Sequence, residues 1–291
     1  MKYYILYNPK AGNGSAKEAA LKLAEKLNCT DVDYIDVTTN IDYTTFAPTL
    51  NEDDVLVVMG GDGTLNHFVN ATKDVDIKQE VLYYSGGTGN DFLRDIDKEV
   101  GCDPFSIKKY IERLPTVTIN GNTYRFLNNV GFGIDGYCCE VGDKLKAAEV
   151  KNINYTSIAI KGLLFHYKPT NATITVDGVE YKYKKVWLAP TMNGRFYGGG
   201  MMAAPEQDRL NPEGTLSVML FYGKGRLSTL MAFPSIFKGE HVKKTKMVAI
   251  HTGKEITVTF DNPAPVQIDG ETILGVTTYT AYASTKVPAE V

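Results

Sequence analysis

The most informative segment of the chain is Val55-Leu56-Val57-Val58-Met59-Gly60-Gly61-Asp62-Gly63-Thr64-Leu65-Asn66. Its first five residues are apolar and three of them are β-branched, which predicts a strand buried on both faces of a parallel sheet. Three glycines around one aspartate follow at once, and Thr64 lies where a helix is expected to begin. A strand, a tight turn and a helix in this order are typical of an α/β domain.

The glycines of this segment suit a turn that binds an anion. Without side chains they let the backbone turn tightly and bring its N–H groups against an anion. The N-terminus of the following helix adds a partial positive charge at the same place. A carboxylate would repel a naked phosphate, so Asp62 is best explained by a nucleotide that arrives with Mg²⁺. The alternative is a structural corner in which Asp62 only caps a helix.

A second glycine corner follows the next predicted strand and reads Ser85-Gly86-Gly87-Thr88-Gly89-Asn90-Asp91. It again combines backbone donors, a threonine hydroxyl and an aspartate at the carboxyl end of a strand. In a parallel sheet, ligands bind beyond the carboxyl ends of the strands, so two such corners can face one ligand. The alternative is an ordinary turn that ends in an Asn-Asp helix cap.

The composition limits the class of protein. The chain has 291 residues, of which 43% are hydrophobic and 22% are charged, so it has enough residues for two ordinary globular domains. A net charge of −3 predicts no general affinity for nucleic acid. No apolar run approaches the ~18 residues needed to span a bilayer. The cysteines lack metal-type spacing and are interpreted as reduced thiols of a cytoplasmic protein: Cys29, Cys102, Cys138 and Cys139.

The first third of the chain alternates strands and helices. A capping box of Ser15 and Glu18 predicts the start of the first helix. Strands are predicted at Tyr3–Asn8, Asp33–Val37, Val55–Met59 and Val81–Tyr84. We therefore predict a doubly wound parallel sheet in a nucleotide-binding α/β domain formed by residues 1–117.

The pattern changes after Pro115. Asn120-Gly121 lies between predicted strands at Val117–Ile119 and Tyr124–Leu127, which predicts a β-hairpin. Asp177-Gly178 predicts a second hairpin between Thr173–Val176 and Val179–Tyr183. Further strands are predicted at Val186–Ala189, Leu216–Phe221, Met247–Ile250, Ile256–Phe260, Val266–Ile268 and Thr277–Ala283, with a helical stretch at Asp143–Phe165. This indicates a β-rich, sandwich-like second domain of residues 118–283, with a cleft between the domains. Residues 284–291 are expected to return to the first domain.

Several segments together resemble one enzyme family. They are Asn8-Pro9-Lys10-Ala11-Gly12, Gly60 through Asn66, Gly87-Thr88-Gly89-Asn90-Asp91, Asn128-Asn129-Val130-Gly131-Phe132-Gly133, Asn193, Tyr197-Gly198-Gly199-Gly200-Met201 and Asp269-Gly270-Glu271. In this order they resemble the bacterial diacylglycerol kinase-like lipid kinases, which share a catalytic domain with sphingosine kinases. Gly-Gly-Asp-Gly-Thr alone also occurs in NAD kinases, but the later segments point to the lipid branch.

The resemblance implies an α/β domain, a β-sandwich domain and ATP with Mg²⁺ bound between them. It implies that Asp62 and Asp91 organise metal and water around the phosphates, and that Glu271 is the base that deprotonates the acceptor hydroxyl. Without the resemblance, Glu271 would be interpreted as a solvated acid in an Asp-Gly hairpin. The implied nucleotide-binding residues are Asn8, Thr38, Gly60, Gly61, Asp62, Gly63, Thr64, Leu65, Asn66, Gly87, Thr88 and Asn90.

The chain departs from the family pattern at several positions. Ser85 replaces a proline before the second corner, which predicts a looser turn, and Thr118 replaces an aspartate of an acidic network. A structural Mg²⁺ site of the family corresponds here to Leu210-Asn211-Pro212-Glu213-Gly214-Thr215. Glu213 stands in place of an aspartate there, and the carbonyls of Leu210 and Thr215 are its predicted companion ligands.

The resulting prediction is an ATP- and Mg²⁺-dependent lipid kinase that is cytoplasmic and peripheral at the inner membrane surface. Its lipid substrate is diacylglycerol or a related lipid; no nucleic acid partner is expected, and a homodimer is left open. Two basic segments are candidates for membrane contact: Tyr181–Lys185, and Lys238, His241, Lys243, Lys244 and Lys246. The alternatives are solvated basic faces, an NAD kinase-like enzyme, or a nucleotide-binding sensor without turnover.

Overall fold

A computed structural model describes residues 1–9, 16–39, 41–87, 89–150 and 153–284. The predicted capping residue Ser15, the nucleotide contact Thr88 and all but the first residue of the segment 284–291, predicted to return to the first domain, lie outside the described residues. The chain folds as two units, Met1–Leu114 and Pro115–Val291. The boundary predicted from the sequence lies after residue 117.

The first unit is an α/β domain with a mostly parallel sheet, as the sequence predicted. The sheet has the order β2-β1-β3-β4-β5, in which β5 alone runs antiparallel to its neighbour. Its strands are β1 Tyr3–Tyr7, β2 Val32–Asp36, β3 Val55–Gly60, β4 Glu80–Ser85 and β5 Phe105–Ser106. Its helices are α1 Ala16–Lys26, α2 Tyr43–Phe46, α3 Asp62–Ala71, α4 Asp91–Asp95 and α5 Lys108–Ile111, with a 3-10 turn at Ala47–Thr49.

Strand β3 is the centre of this unit. It lies between β1 and β4, and all six of its residues are buried. Burial on both faces explains its unbroken apolar run, because a strand that is covered on each side needs no polar alternation. The carboxyl ends of β1, β3 and β4 therefore lie next to one another at one edge of the sheet.

The second unit is β-rich, as predicted, and its main sheet has the order β15-β14-β11-β8-β16-β17-β6-β7, with β9 on β16 and β10 on β9. Its helices are α6 Ile134–Ala147, α7 Tyr155–Lys161 and α8 Arg226–Ala232, with a π-helix at Gly162–His166 and 3-10 turns at Phe233–Lys238 and Glu240–Lys243. Its strands are β6 Thr116–Ile119, β7 Asn122–Arg125, β8 Asn129–Gly133, β9 Thr170–Val176, β10 Val179–Val186, β11 Leu188–Met192, β12 Phe196–Tyr197, β13 Met201–Met202, β14 Leu216–Phe221, β15 Val248–Gly253, β16 Glu255–Ile268 and β17 Glu271–Tyr282.

Both Asn-Gly and Asp-Gly hairpins form where they were predicted, but three other elements differ from the prediction. The strand expected at Val186–Ala189 is divided, since β10 ends at Val186 and β11 begins at Leu188. The strands expected at Ile256–Phe260 and Val266–Ile268 are one strand, β16, which continues through two prolines with an irregular register.

The helical stretch expected at Asp143–Phe165 begins earlier, at Ile134, and is divided: α6 ends at Ala147, and α7 begins at Tyr155 and leads into the π-helix. A Cβ on Gly136 would lie 2.2 Å from the Pro265 carbonyl oxygen, so the glycine that weakens the helical signal permits close packing of α6 on β16.

Candidate active site

The two glycine corners are joined by main-chain hydrogen bonds at the carboxyl ends of β3 and β4. The Gly86 N–H donates to the Gly60 carbonyl at 3.0 Å, and the Asp62 N–H donates to the Gly89 carbonyl at 3.1 Å. The buried Tyr83 hydroxyl also donates to the Gly60 carbonyl, at 2.9 Å. Burial raises the pKa of Tyr83, so this hydroxyl remains a donor. The corners thus form a single local structure.

Three of the glycines are required by the packing of the corners themselves. A Cβ on Gly87 would lie 2.5 Å from the Gly61 nitrogen, and a Cβ on Gly61 would lie 2.9 Å from the Gly89 carbonyl oxygen. A Cβ on Gly60 would lie 2.3 Å from the Thr64 hydroxyl. Real Cβ atoms do not approach other atoms so closely, so close packing alone explains these glycines.

Gly63 is different from the other glycines of the first corner. It is the second residue of α3, it is exposed, and a Cβ built on it would meet nothing within 4 Å. The first N–H groups of a helix have no acceptor inside the helix, and they bear partial positive charge. Packing therefore does not require glycine at position 63, and the start of α3 is open to solvent there.

The Asp62 side chain is buried and holds the second corner. Its two oxygens accept the N–H groups of Asp91 at 2.7 Å and of Phe92 at 3.2 Å, which are the first residues of α4. Asp62 is thus a helix cap, as the structural alternative proposed, but it caps α4 instead of its own helix. A carboxylate offers about four acceptor sites, so this cap is compatible with a further contact to a hydrated cation.

The side chain of Asn90 forms two hydrogen bonds inside the second corner. It accepts the Ser85 hydroxyl at 2.5 Å and donates to the Gly87 carbonyl at 3.2 Å. A proline at position 85 could not make the first bond, so Ser85 supplies a contact of its own where a looser turn was expected. Asp91 is buried beside this turn, at the start of α4.

The remaining predicted nucleotide contacts of the first unit fall into two groups. Asn8 follows β1, and Thr38 lies just beyond β2, where it donates to Asp36 through both its N–H and its hydroxyl at 2.7 Å. Leu65 and Asn66 are buried in α3, and Leu65 is fully enclosed. A contact from Leu65 to a nucleotide would therefore have to use its backbone.

Asp269 and Gly270 form a two-residue turn between β16 and β17, and Glu271 is the first residue after it. Both turn residues have positive φ, 48° and 96°, as this hairpin type requires. Glu271 is exposed and pairs with Ile268 across the hairpin. The sequence-based alternative of a solvated hairpin acid describes its surroundings accurately, and its catalytic role stays a prediction.

The Asp269 carboxylate ties this turn to the segment that leads into β8. It accepts three successive backbone N–H groups, those of Leu127, Asn128 at 2.7 Å and Asn129 at 3.0 Å. The Asp269 N–H donates in return to the Asn129 carbonyl at 3.0 Å. Glu271 thus follows a turn that is held on both its side chain and its backbone.

Two buried side chains, Gln267 and Asp135, form hydrogen bonds that support the same turn. Gln267 accepts the Gly270 N–H at 2.9 Å and donates to Asp135 at 3.3 Å. Asp135 lies in the first turn of α6 and is buried, and burial raises its pKa to about 7. No local signal in the sequence indicates this pair, because Gln267 belongs to a predicted strand and Asp135 lies in a glycine-rich run that did not predict a helix.

Two further side chains, which were not predicted as site residues, donate to carbonyl and side-chain oxygens of segment 127–129. Arg209 donates to the Leu127 carbonyl at 3.3 Å and to the Asn128 side chain at 3.0 Å. Asn193 donates to the same Leu127 carbonyl at 2.8 Å. Asn193 was noted only as part of a motif, and a single arginine in a loop carries no spacing signal.

The predicted metal loop is organised around Asn211. Its amide donates to the Thr215 carbonyl at 3.1 Å and its oxygen accepts the Thr215 N–H at 2.9 Å. Gln207 donates to the same carbonyl at 2.8 Å, so this predicted ligand oxygen already accepts two protein donors. Leu210 and Glu213 are exposed. No group of three or more His, Cys, Asp or Glu residues that could hold a metal occurs within the described residues.

Thr118, which replaces a family aspartate, lies in β6 and contacts the hydroxyl of Thr123 at 3.2 Å across the hairpin. The helices among the described residues include none with the length and apolar character needed to cross a membrane.

Comparisons with known proteins agree with this architecture. A family model described as the diacylglycerol kinase catalytic domain matches residues 2–120, and one described as the YegS C-terminal NAD kinase beta sandwich-like domain matches residues 128–288. A Bacillus anthracis structure described as a "putative diacylglycerol kinase" has a TM-score of 0.70, 22% identity, and coverage of 97% of this chain and 91% of that chain. This likeness concerns the fold.

Two curated relatives give the same result from sequence. The protein named "Putative lipid kinase YtlR" of Bacillus subtilis is 30% identical over 257 residues, which are 77% of this chain and 75% of that protein. The protein named "Diacylglycerol kinase" of Mycobacterium tuberculosis is 25% identical over 283 residues, covering 93% of this chain and 88% of that protein. The chain therefore belongs to the family of diacylglycerol kinase-like lipid kinases.

Proposed function

We propose that this protein transfers the γ-phosphate of Mg²⁺-bound ATP to the hydroxyl group of diacylglycerol or a related lipid. Membership of a lipid kinase family supports the class of reaction. The observation that carries the nucleotide assignment is the open space at Gly63, beside the first turn of α3. Packing explains the other glycines of this corner, whereas it does not explain Gly63.

The chain's own residues supply positioning and charge stabilisation at the phosphates. Phosphoryl transfer depends mainly on these two effects. In this proposal the N-terminus of α3 binds a phosphate through the Gly63 N–H, because the N–H groups of Asp62 and Thr64 already donate to the Gly89 and Gly61 carbonyls. Asp62 and Asp91 are the carboxylates of this corner that would hold Mg²⁺ through its water molecules. The chemistry that Mg²⁺ would supply there is neutralisation of the negative charge on the phosphates.

Glu271 would remove the proton from the acceptor hydroxyl. An alcohol is a weak nucleophile, and a positioned general base is worth ~10²–10⁴ in rate. Glu271 is exposed, so a substrate can reach its carboxylate. The hydrogen bonds that the Asp269 carboxylate accepts fix the turn before Glu271 and limit the movement of this residue. Its geometry therefore fits a base that acts without a large rearrangement.

A second Mg²⁺ at Leu210, Glu213 and Thr215 stays a separate proposal. The side-chain donors on the Thr215 carbonyl would have to share it with the ion. A Mg²⁺ titration of thermal stability without nucleotide tests this site. An increase in Tm with Mg²⁺ that Glu213→Gln abolishes would support it, and identical titrations of the two proteins would exclude it.

The central experiment incubates the protein with γ-labelled ATP and Mg²⁺ in three reactions, with dioleoylglycerol in mixed micelles, with NAD, or with no acceptor. We expect label to move to the lipid, and mass spectrometry of a whole-lipid extract to identify the natural acceptor. Transfer to NAD alone would assign the protein to the other kinase class. ATP binding with no transfer to any acceptor would indicate a sensor.

A further inference from the structure

Two neighbouring helical segments of the second unit expose large apolar side chains to solvent. Phe165 in the π-helix is 71% exposed, and Leu227 and Met231 in α8 are 66% and 69% exposed. Leu227 and Met231 are four residues apart and therefore lie on one face of α8. The two segments pack together, and the Arg226 guanidinium donates to the Leu163 carbonyl at 2.8 Å.

The chain that continues from α8 is strongly basic. Residues 226–246 contain one acid, Glu240, and five basic residues: Arg226, Lys238, Lys243, Lys244 and Lys246. The four lysines are exposed, and none of them forms an ion pair with a described residue. Lys161 and Lys168 flank the π-helix and are also exposed. This concentration of positive charge occurs in a chain whose net charge is −3.

The π-helix and the 3-10 turn at Phe233–Lys238 both pack on α8, and that turn packs on the next one, Glu240–Lys243. We define the apolar–basic face as the exposed side chains that these neighbouring segments carry, Phe165, Leu227 and Met231, together with the four lysines of residues 238–246. His241, which the sequence grouped with these lysines, is fully buried and contacts the Ala203 carbonyl through Nε2 at 3.0 Å. It therefore belongs to the core and is excluded from the face.

The other basic segment suggested by the sequence, Tyr181–Lys185, has a different character. The Tyr183 hydroxyl bonds to His251 at 2.6 Å, and the Tyr181 ring stacks on the same imidazole with centroids 3.9 Å apart. Lys182 pairs with Glu180 at 3.0 Å. The aromatic rings of this segment are engaged with the protein, so it lacks the exposed apolar residues that lipid insertion requires.

We propose that the apolar–basic face docks on the surface of an anionic lipid bilayer. Exposed apolar side chains and exposed lysines on neighbouring segments match the two layers of such a surface, with acyl chains below and negatively charged headgroups above. Each lysine near an anionic surface strengthens binding roughly fivefold. The proposal rests on the proposed function in one respect: a lipid kinase must meet an acceptor that resides in a bilayer.

The test measures sedimentation of the full chain with vesicles of phosphatidylcholine alone and with vesicles that also contain phosphatidylglycerol. We expect binding to the anionic vesicles, weakened roughly tenfold by Leu227→Ser with Met231→Ser and roughly 30-fold by Lys243→Ala with Lys244→Ala. The matched controls are Val179→Ser, at a valine that is 55% exposed, and Lys182→Ala with Lys184→Ala. These controls should bind as the unchanged protein does.

Three results would overturn the proposal: no binding to anionic vesicles, loss of binding only in the Lys182/Lys184 variant, or equal effects of all variants. A change of oligomeric state in the Leu227/Met231 variant, with unchanged vesicle binding, would assign the face to a second copy of the chain. Circular dichroism confirms that each variant is folded.

Turnover on a water-soluble, short-chain diacylglycerol separates this proposal from the proposed function. We expect the face variants to keep that turnover while they lose turnover on vesicles. No phosphorylation of any lipid would refute the proposed function and leave the vesicle-binding result to stand on its own.

Discussion

The carboxylate of Asp62 accepts the backbone N–H of Asp91 at 2.7 Å. The aspartate of the first glycine corner therefore caps α4, the helix that follows the second corner. Asp62 is buried, and its second oxygen accepts the Phe92 N–H. One side chain therefore joins the ends of β3 and β4 and is also a proposed organiser of Mg²⁺. Mutation of Asp62 should change stability and activity together.

Asp62→Ala should lower the free energy of unfolding by about 1–3 kcal/mol, because two buried N–H groups lose their acceptor. It should also reduce turnover by ~10²–10³, as expected for the loss of one preorganised charge-stabilising group. Urea unfolding and an ATP-dependent lipid phosphorylation assay measure the two effects.

Asp42→Ala is the matched control, since Asp42 caps α2 by accepting the Thr44 N–H at 3.0 Å. It should lower stability and leave turnover unchanged. If both variants lost turnover in proportion to stability, Asp62 would have only a structural role.

Gly63→Ala should leave the free energy of unfolding unchanged or slightly higher, because alanine favours helix and its Cβ meets open space. The added methyl group would occupy the space assigned to phosphate, so ATP affinity should fall about tenfold or more. Calorimetric titration with ATP and urea unfolding give the two values.

Gly87→Ala is the comparison for Gly63→Ala, since its Cβ would lie 2.5 Å from the Gly61 nitrogen. This variant should be clearly destabilised. Unchanged ATP affinity in Gly63→Ala would remove the helix α3 N-terminus from the nucleotide site.

Glu271→Gln should retain ATP affinity and stability while it lowers turnover by ~10²–10⁴, because glutamine keeps the shape of the side chain and cannot accept the proton. Glu271 is exposed, so the change disturbs no core packing. A parallel loss of ATP affinity would contradict the general-base assignment.

Asp269→Asn tests the hydrogen bonds that fix the Asp269-Gly270 turn separately from the proposed general base, Glu271. The asparagine offers one acceptor oxygen to backbone amides that now share a carboxylate, so we expect a loss of about 1–3 kcal/mol in unfolding free energy. Turnover should fall while ATP affinity is kept. Normal turnover in this variant would show that Glu271 needs no fixed turn.

Asp135 should give the protein a pH-dependent stability. Burial raises its pKa from 3.8 to about 7, so the folded chain binds more protons than the unfolded chain between these pH values. Stability from this group therefore falls as pH rises through that range, by up to about 4 kcal/mol.

Asp135→Asn removes the titration while keeping the side chain's size. The difference in unfolding free energy between the unchanged protein and this variant should move in favour of the unchanged protein when pH falls from about 8 to about 5. Parallel stability curves for the two proteins would contradict the raised pKa.

Much of the fold could be predicted because local signals and tertiary structure agree. The apolar run of β3 is fully buried, and the hairpins at Asn120-Gly121 and Asp177-Gly178 form as the turn residues predict. The predictions were wrong where packing overrides local preference. β16 continues through Pro263 and Pro265, and α6 begins at a glycine-rich run that packs on β16.

The sequence predicted where the turns of the candidate site lie along the chain, but it did not predict the hydrogen bonds between them. Motifs located both corners and the Asp269–Glu271 turn, because glycine and aspartate in tight turns follow local rules. Sequence could not show that Asp62 caps α4 or that Asp269 binds residues 127–129, since these contacts join residues distant along the chain. Residues 10–12 of the family segment that begins at Asn8, and the predicted contact Thr88, lie outside the described residues.

The close approach of Gly61 and Gly87 has a consequence for natural variation and for engineering. The backbones of the two loops are in direct contact at these glycines, so a replacement that moves one loop must be matched by a change in the other. Substitutions at these positions should show strong epistasis, and a transplanted single loop from a distant homologue should fail where the transplanted pair succeeds. The two loops should therefore vary together among homologues.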